Sequence, residues 1–378
     1  MFINNIKLKN FRNYEDLDLT FSSNKVLLVG KNAQGKTNLL EAIYYLSSLN
    51  SIKAKQDAEL IKWNEDFAYL EANFNKCDLT IDLDVTINPP KKKILKVNGI
   101  KKSKSSEFIS NISAVSFSTS DLLLLRGSPE DRRKWLDLAI SQVYPAFLDR
   151  LSKYNKIRTQ KNNYLKDLRC GCNINTDSTL LDVWNEQLAV AGSNIIYLRL
   201  NFLKEISKFA QAKHETIANG EILTLDYETS LMDNILNADL SNAEILALFK
   251  MQLEEKKQEE IIRAQSVVGP HRDDISFFIN GIDSKKFASQ GQQRTIVLAL
   301  KLSELEIIRN KIGESAILLL DDVLAELDNI RQNYLLEAIE NDTQTIITSV
   351  DTLQFDKEFL NEVQIYNITS SNGIASIS

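Results

Sequence analysis

The residues Gly30-Lys31-Asn32-Ala33-Gln34-Gly35-Lys36-Thr37 satisfy the spacing G-x-x-x-x-G-K-[ST]. Each required type has a physical job. The glycines let the backbone curl so tightly that successive N–H groups point at one phosphate, and the positive end of a following helix reinforces them. Lys36 then reaches the β- and γ-phosphates of a nucleoside triphosphate, and the Thr37 hydroxyl is placed for Mg²⁺. A glycine-rich surface turn can match the pattern by accident. It has no need of the apolar run Val26-Leu27-Leu28-Val29 before it, or of the helical pattern over 38–46 after it.

Hydrolysis needs a second group. Ile317-Leu318-Leu319-Leu320-Asp321-Asp322 reads as a buried strand ending in two carboxylates. Asp321 is expected to hold Mg²⁺ through water, and Asp322 to orient the attacking water. Ser289-Gln290-Gly291-Gln292-Gln293-Arg294 places small residues just ahead of a predicted helix, which makes a second anion-accepting turn. An ordinary polar helix cap would look the same.

About 285 residues separate Lys36 from Asp321, so a domain must lie between the two halves of this site. The alternation of Ile6 and Leu8, then Leu17, Leu19 and Phe21, predicts an opening β-hairpin. Residues 67–87 alternate again, and Asn98-Gly99 predicts a type I′ turn. From about residue 131 the texture becomes helical, with polar loops at 170–179 and 219–233. After 266 the β/α texture returns, with a helix from Thr295 to about Asn310 and strands at 317–320 and 345–348. The expected fold is α/β, with N-terminal hairpins and a phosphate-loop sheet, split by a mainly helical insertion. The expected segments are 1–130, 131–265 and 266–378.

Composition sets outer limits. Among 378 residues, 45 Lys and Arg face 51 Asp and Glu, for a formal charge of −6. No run approaches the ~18 apolar residues of a membrane span. The first residues lack the apolar core of a signal peptide, and three unframed cysteines fit a reducing cytosol, so a cytoplasmic protein is expected. The acidic average disfavours nucleic acid, but the basic residues cluster. Seven lysines and no acid lie within 91–106, and seven basic residues against Asp167 alone lie within 150–169.

At these residues the chain resembles the RecF family of SMC-like ABC ATPases. The likeness includes Leu8-Lys9-Asn10-Phe11-Arg12-Asn13-Tyr14, Thr37-Asn38-Leu39-Leu40-Glu41-Ala42-Ile43, and Gly127-Ser128-Pro129 followed by Arg132-Arg133. It continues through Gly269-Pro270-His271-Arg272-Asp273-Asp274, the Ser289–Arg294 stretch, and Asp321-Asp322 leading to Glu326-Leu327-Asp328. The resemblance implies an ATP-dependent homodimer in which Ser289 and Gly291 meet the γ-phosphate held by the other copy's Lys36. It implies Asp328 at the dimer contact, Arg12 reaching nucleotide phosphate, and Thr348 sensing the γ-phosphate. It further implies binding of gapped DNA at single-strand/double-strand junctions without sequence preference, partnership with RecO and RecR, RecA loading and support of SOS induction.

Two departures stand out. Asp322 replaces the usual glutamate, which predicts slow turnover, and Ser51-Ile52-Lys53 replaces the usual Ser-His-Arg. The proposed DNA footprint is Lys91, Lys92, Lys93, Lys101, Lys102, Arg132 and Arg133, with a solvated polar face as the plain alternative. Trp63, Trp135 and Trp184 are expected to pack cores. Cys170-Gly171-Cys172 lacks a second pair and is not expected to bind zinc. The competing reading is a soluble ATPase subunit of an ABC transporter, which should keep a switch histidine where this chain has Thr348.

Overall fold

The computed structural model describes residues 1–51, 53–77, 79–170, 178–339, 342–353, 355 and 357–378. Ile52 of the Ser51-Ile52-Lys53 stretch, and Gly171 and Cys172, lie outside these described residues. The chain divides into two compact units, 1–121 with 297–378, and 122–296. The Ser289–Arg294 stretch, expected in the returning head segment, falls in the second unit.

The first unit carries two six-stranded sheets among the described residues. One is antiparallel and built from the first hairpins: β1 (Phe2–Phe11), β2 (Tyr14–Thr20), β4 (Ala68–Lys76), β5 (Leu79–Ile87), β6 (Ile94–Val97) and β7 (Ile100–Lys102), in the order β2-β1-β4-β5-β6-β7. Asn98 and Gly99 take φ values of 51° and 74°, the geometry of the type I′ turn. The other sheet contains β3 (Lys25–Val29), β8 (Ala114–Ser118), β12 (Ile317–Asp321), β13 (Thr345–Ser349), β14 (Gln364–Ser371) and β15 (Ile374–Ile377), in the order β15-β14-β3-β13-β12-β8. β3 pairs in parallel with both β13 and β14. Val26, Leu27 and Leu28 are fully buried, as a strand covered on both faces requires. Each such side chain contributes about 1.5–3 kcal/mol on burial. Helix α1 (Lys36–Ser48) follows β3 directly and buries Leu39, Leu40, Ile43 and Leu46.

The second unit is helical with one small sheet. Its long helices are Pro129–Val143, Ala146–Cys170 and Ser178–Ile217. The first starts on a capping box between Ser128 and Asp131 with Pro129 behind the cap. It ends at Tyr144, before Pro145, which divides what periodicity alone reads as one long helix. The expected polar loop at 219–233 is corrected: it contains β9 (Leu223–Glu228), which pairs antiparallel with β10 (Asp274–Ile279), itself joined to β11 (Ile282–Asp283). Trp135 packs against Phe277 in this unit, whereas Trp63 of the first unit is 90% exposed and packs no core.

The Gly269–Asp274 motif builds a buried polar knot. Arg199 donates to Asp137 and to the Pro270 carbonyl, and Tyr227 donates to Asp273. His271 Nε2 donates to the Ser266 carbonyl at 3.2 Å, leaving Nδ1 to accept from the Tyr154 hydroxyl at 2.6 Å. Burial, and secondarily nearby arginines, hold this imidazole down at about 3. Between the ordinary value of about 6.5 and that level, the unfolded chain takes a proton that the folded chain refuses. His271 therefore lowers stability progressively as pH falls through that window. Burial pushes Asp273 up to about 6, which acts in the opposite sense at the upper end of the same range. His271→Gln should flatten the acid limb of a melting-temperature profile; an unchanged limb would refute the assignment.

Candidate nucleotide-binding site

The six residues between β3 and α1 form the phosphate loop. A methyl group on Gly30 would collide with the Ile368 carbonyl, and Gly35 takes φ 122° with the Asn13 amide 3.0 Å from where a Cβ would stand. No side chain caps α1, and no acid lies in its first turn. Its N–H groups and positive end are thus left for an anion. The Lys36 ammonium donates to the carbonyls of Gly30 and Lys31, so it is held over the loop rather than free in solvent. A cavity of about 260 Å³ is lined by loop residues Lys31–Asn38 together with Lys53 and Asp322.

Hairpin residues outside the loop hold its shape. Asn13 Nδ2 donates to the Gln34 carbonyl at 3.1 Å, Asn38 donates to Asn13 at 2.7 Å, and the Tyr14 hydroxyl donates to the Gly35 carbonyl at 3.2 Å. Gln34 in turn accepts the Ser370 N–H from β14. Asn13 and Tyr14 belong to the Leu8–Tyr14 stretch that carries the resemblance, but spacing alone could not show that they brace the loop.

β12 delivers Asp321 to the loop. The Thr37 hydroxyl donates to Asp321 Oδ1 at 2.8 Å. Burial raises the Asp321 carboxyl above its ordinary range, with the Thr37 hydrogen bond and the Lys53 charge opposing. A threonine hydroxyl and a carboxylate are hard oxygen donors, the set that suits Mg²⁺. Asp322 follows in a left-handed turn, φ 53°, and its N–H donates to Thr348 Oγ1 at 2.8 Å. Thr348 is 1% exposed, and its hydroxyl also lies 3.1 Å from Asp321 Oδ1 and 3.2 Å from Asp322 Oδ1. Thr348 thus bridges the two aspartates and positions them.

Arg12 is held by partners on α1 and the segment after it. Its guanidinium grips both Glu41 oxygens, at 2.8 and 2.9 Å, and the Glu59 carbonyl. Burial alone would raise Glu41, but hydrogen bonds from Arg12 and Ser51 hold its carboxyl below the usual range. Glu41 also accepts the Lys53 N–H at 3.3 Å. Through Glu41, Arg12 thus anchors the segment that brings Lys53 to the cavity.

Ser289 is exposed at the head of the helix Gln290–Ile312, where its Oγ accepts the Gln292 N–H at 3.2 Å. It is a helix cap and remains reachable from outside; Gly291 lies in the same first turn. Asp328 is exposed and caps the helix Asn329–Ala338 through the Arg331 N–H.

The proposed DNA residues divide. Lys91, Lys92 and Lys101 are exposed and Lys102 is half-buried. Lys93 is tied to Asp57 and the Tyr45 hydroxyl, each at 3.0 Å. Arg132 is only 2% exposed and forms a two-pronged pair with Asp274, at 2.6 and 2.7 Å. Arg133 donates to the Asp273 carbonyl. Arg132 is therefore a structural member of the second unit, not a DNA face, because Asp274 takes its donors from 142 residues along the chain, whereas Arg133 is half-buried.

The family model described as RecF/RecN/SMC N terminal domain matches residues 2–376. The DNA replication and repair protein RecF of Bacillus thuringiensis (strain Al Hakam) is 40% identical over 371 residues, covering 98% of this chain and 97% of its own; that of Bacillus cereus (strain B4264) gives the same figures. A solved structure of the recombination mediator protein RecF with ATP, described within the RecFOR pathway, aligns with a TM-score of 0.90 at 32% identity, covering all of this chain and 97% of that one. An Smc head bound to the C-winged helix domain of ScpA aligns at 0.54 and 15% identity over 100% of this chain and 98% of that one, and shares the fold alone. The expected ABC-type head with a helical insertion is thus the fold observed, and the transporter reading falls away. Likeness that runs from one end of the sequence to the other, at identities beyond what a common fold demands, has one meaning: the chain belongs to the RecF family.

Proposed function

We propose that this chain is an ATP-switched DNA-binding protein of recombinational repair and replication. The carrying observation is the linked set Thr37–Asp321–Thr348–Asp322 beside the phosphate loop, in which helix α1 meets strand β12 across 284 residues of sequence. In this reading, the loop amides and Lys36 bind the β- and γ-phosphates, and Thr37 and Asp321 hold Mg²⁺. Bound Mg²⁺ supplies charge neutralisation to those phosphates. Asp322 orients the attacking water, and its hydrogen bond to Thr348 fixes its aim. Lys53 adds a cation where the family commonly has arginine. Ser289 and Gly291 of a second copy close the site, with Asp328 at the contact, so ATP favours a dimer that grips gapped DNA. Slow hydrolysis releases it. RecO, RecR and, through them, RecA are the partners, and exposed Lys91, Lys92 and Lys101 meet phosphates without reading sequence.

Anisotropy with labelled gapped DNA tests the switch: binding should be tight with ATP and at least about tenfold weaker with ADP, a difference of about 1.4 kcal/mol. Equal affinity in both states would overturn it. Thr348→Val should slow ATP turnover about tenfold, the effect of one hydrogen bond, while nucleotide affinity changes little. A stopped-flow binding assay beside a phosphate-release assay separates these outcomes; a loss confined to affinity would contradict the positioning role.

A further inference from the structure

Trp63 is 90% exposed, yet the backbone that carries it is firmly seated. The Lys62 N–H donates to the Asn10 carbonyl at 2.9 Å, and the Glu65 N–H returns to the Lys62 carbonyl at 3.1 Å. Ile61 forms an isolated bridge to Phe11. Asn10 donates to Glu65 at 2.9 Å, and the Lys62 ammonium pairs with Glu15 at 2.6 Å. Asn64, in the left-handed region at φ 67°, turns the chain just behind the indole. Every neighbour is fixed, while the largest apolar side chain of the segment is presented to solvent.

We propose that Trp63 is a stacking plate for an unpaired base at the single-strand/double-strand junction, an inference that rests on the DNA-binding reading above and adds a subsite to it. An indole carried on a fixed backbone offers a flat face at the cost of ordering only its own two side-chain torsions. Base stacking is sequence-tolerant because every base has a π-face. The surroundings favour a base over a protein partner. Protein anchors sit inside a rim of further contacts that exclude water, whereas Trp63 is followed by the exposed polar residues Asn64, Glu65 and Asp66 and preceded by Lys62. Glu15 is paired with the Lys62 ammonium, whereas Glu65 and Asp66 keep their charge, so what meets the indole is an uncharged base face rather than a backbone phosphate. The seat is also mechanically informative. Asn10 belongs to the hairpin whose turn residue Asn13 holds the Gln34 carbonyl of the phosphate loop. A base on Trp63 therefore bears on the same hairpin that shapes the nucleotide site.

The test uses the full chain with ATP, a gapped DNA, the same DNA carrying abasic residues in the gap, and a blunt duplex. Trp63→Ala should weaken gapped-DNA binding about 5- to 150-fold and leave blunt-duplex binding within about twofold. Trp63→Phe should recover most of the loss. Abasic DNA should weaken the wild-type protein similarly and make it indifferent to Trp63→Ala, and indole fluorescence should be quenched by gapped DNA only. Unchanged binding of Trp63→Ala, or equal loss on gap and duplex, would overturn the inference while leaving the DNA-binding reading standing. Weaker self-association or weaker RecO or RecR binding, with gapped-DNA affinity intact, would also overturn it in favour of a protein contact. Failure of the wild type to bind gapped DNA at all would instead defeat the parent reading.

Discussion

Lys36→Met should leave the unliganded protein folded and deprive it of its response to ATP. Methionine keeps the length of the buried stem but removes the ammonium that meets the carbonyls of Gly30 and Lys31 and, when nucleotide binds, the phosphates. Hydrogen bonds to charged groups contribute about 1.5–3 kcal/mol each, so ATP affinity should fall about 10- to 150-fold. Turnover should fall at least about 100-fold, because the same charge is needed most as negative charge develops on the transferring phosphoryl group. Thermal unfolding gives a direct readout. Ligand at 100 times its dissociation constant stabilises a folded protein by about 2.7 kcal/mol, and at the same ATP concentration the weakened variant should keep only about 0.3–1.4 kcal/mol of it, with a correspondingly smaller rise in melting temperature. A preserved rise together with preserved ATP-dependent DNA binding would place the nucleotide elsewhere.

The second large effect concerns stability. Lys161 of the helix Ala146–Cys170 pairs at 2.5 Å with Glu260 of the helix Lys257–Arg263, and both side chains are fully buried. Burial pulls the Lys161 ammonium below its usual range, against the attraction of Glu260. Glu260 also accepts the Val267 N–H at 2.9 Å. Lys161→Met should destabilise by about 3–5 kcal/mol, because it strands a buried carboxylate. That corresponds to a fall of roughly 6–20 °C in melting temperature for a unit of this size. Adding Glu260→Gln removes the stranded charge and keeps an acceptor for Val267, so the double variant should regain more than half of the loss. If the double variant is no better than the single one, the charge pair is not what the cost reflects.

Sequence spacing exposes the parts of this molecule that depend on neighbours along the chain. The phosphate loop between β3 and α1, the carboxylates closing β12 and the Asn98-Gly99 turn are all local patterns with a fixed physical reason. What depends on remote partners was hidden. β9 alternates cleanly from Leu223 to Glu228, but it sits in a polar stretch and becomes a strand only by pairing with β10, some 50 residues later. Arg132 and Lys161 look like members of basic faces until Asp274 and Glu260 meet them from 142 and 99 residues away. That Arg12 also serves the Lys53 segment becomes visible only through its remote partner Glu41. Trp63 has a core residue's composition and a surface residue's position, because the neighbours that pack well are Phe11 and Ile61 rather than the indole.

The strand that introduces the phosphate loop lies between β13 and β14, and this order has a consequence for the nascent chain. At synthesis rates of about 5–20 residues per second, β3 emerges roughly 20–70 s before β14 can flank it. Throughout that interval the apolar run Val26-Leu27-Leu28-Val29 of β3 has an open edge, the condition in which chains adhere to one another. The discontinuous unit can close only when its last strands leave the ribosome, and the continuous unit, residues 122–296, is free to fold first.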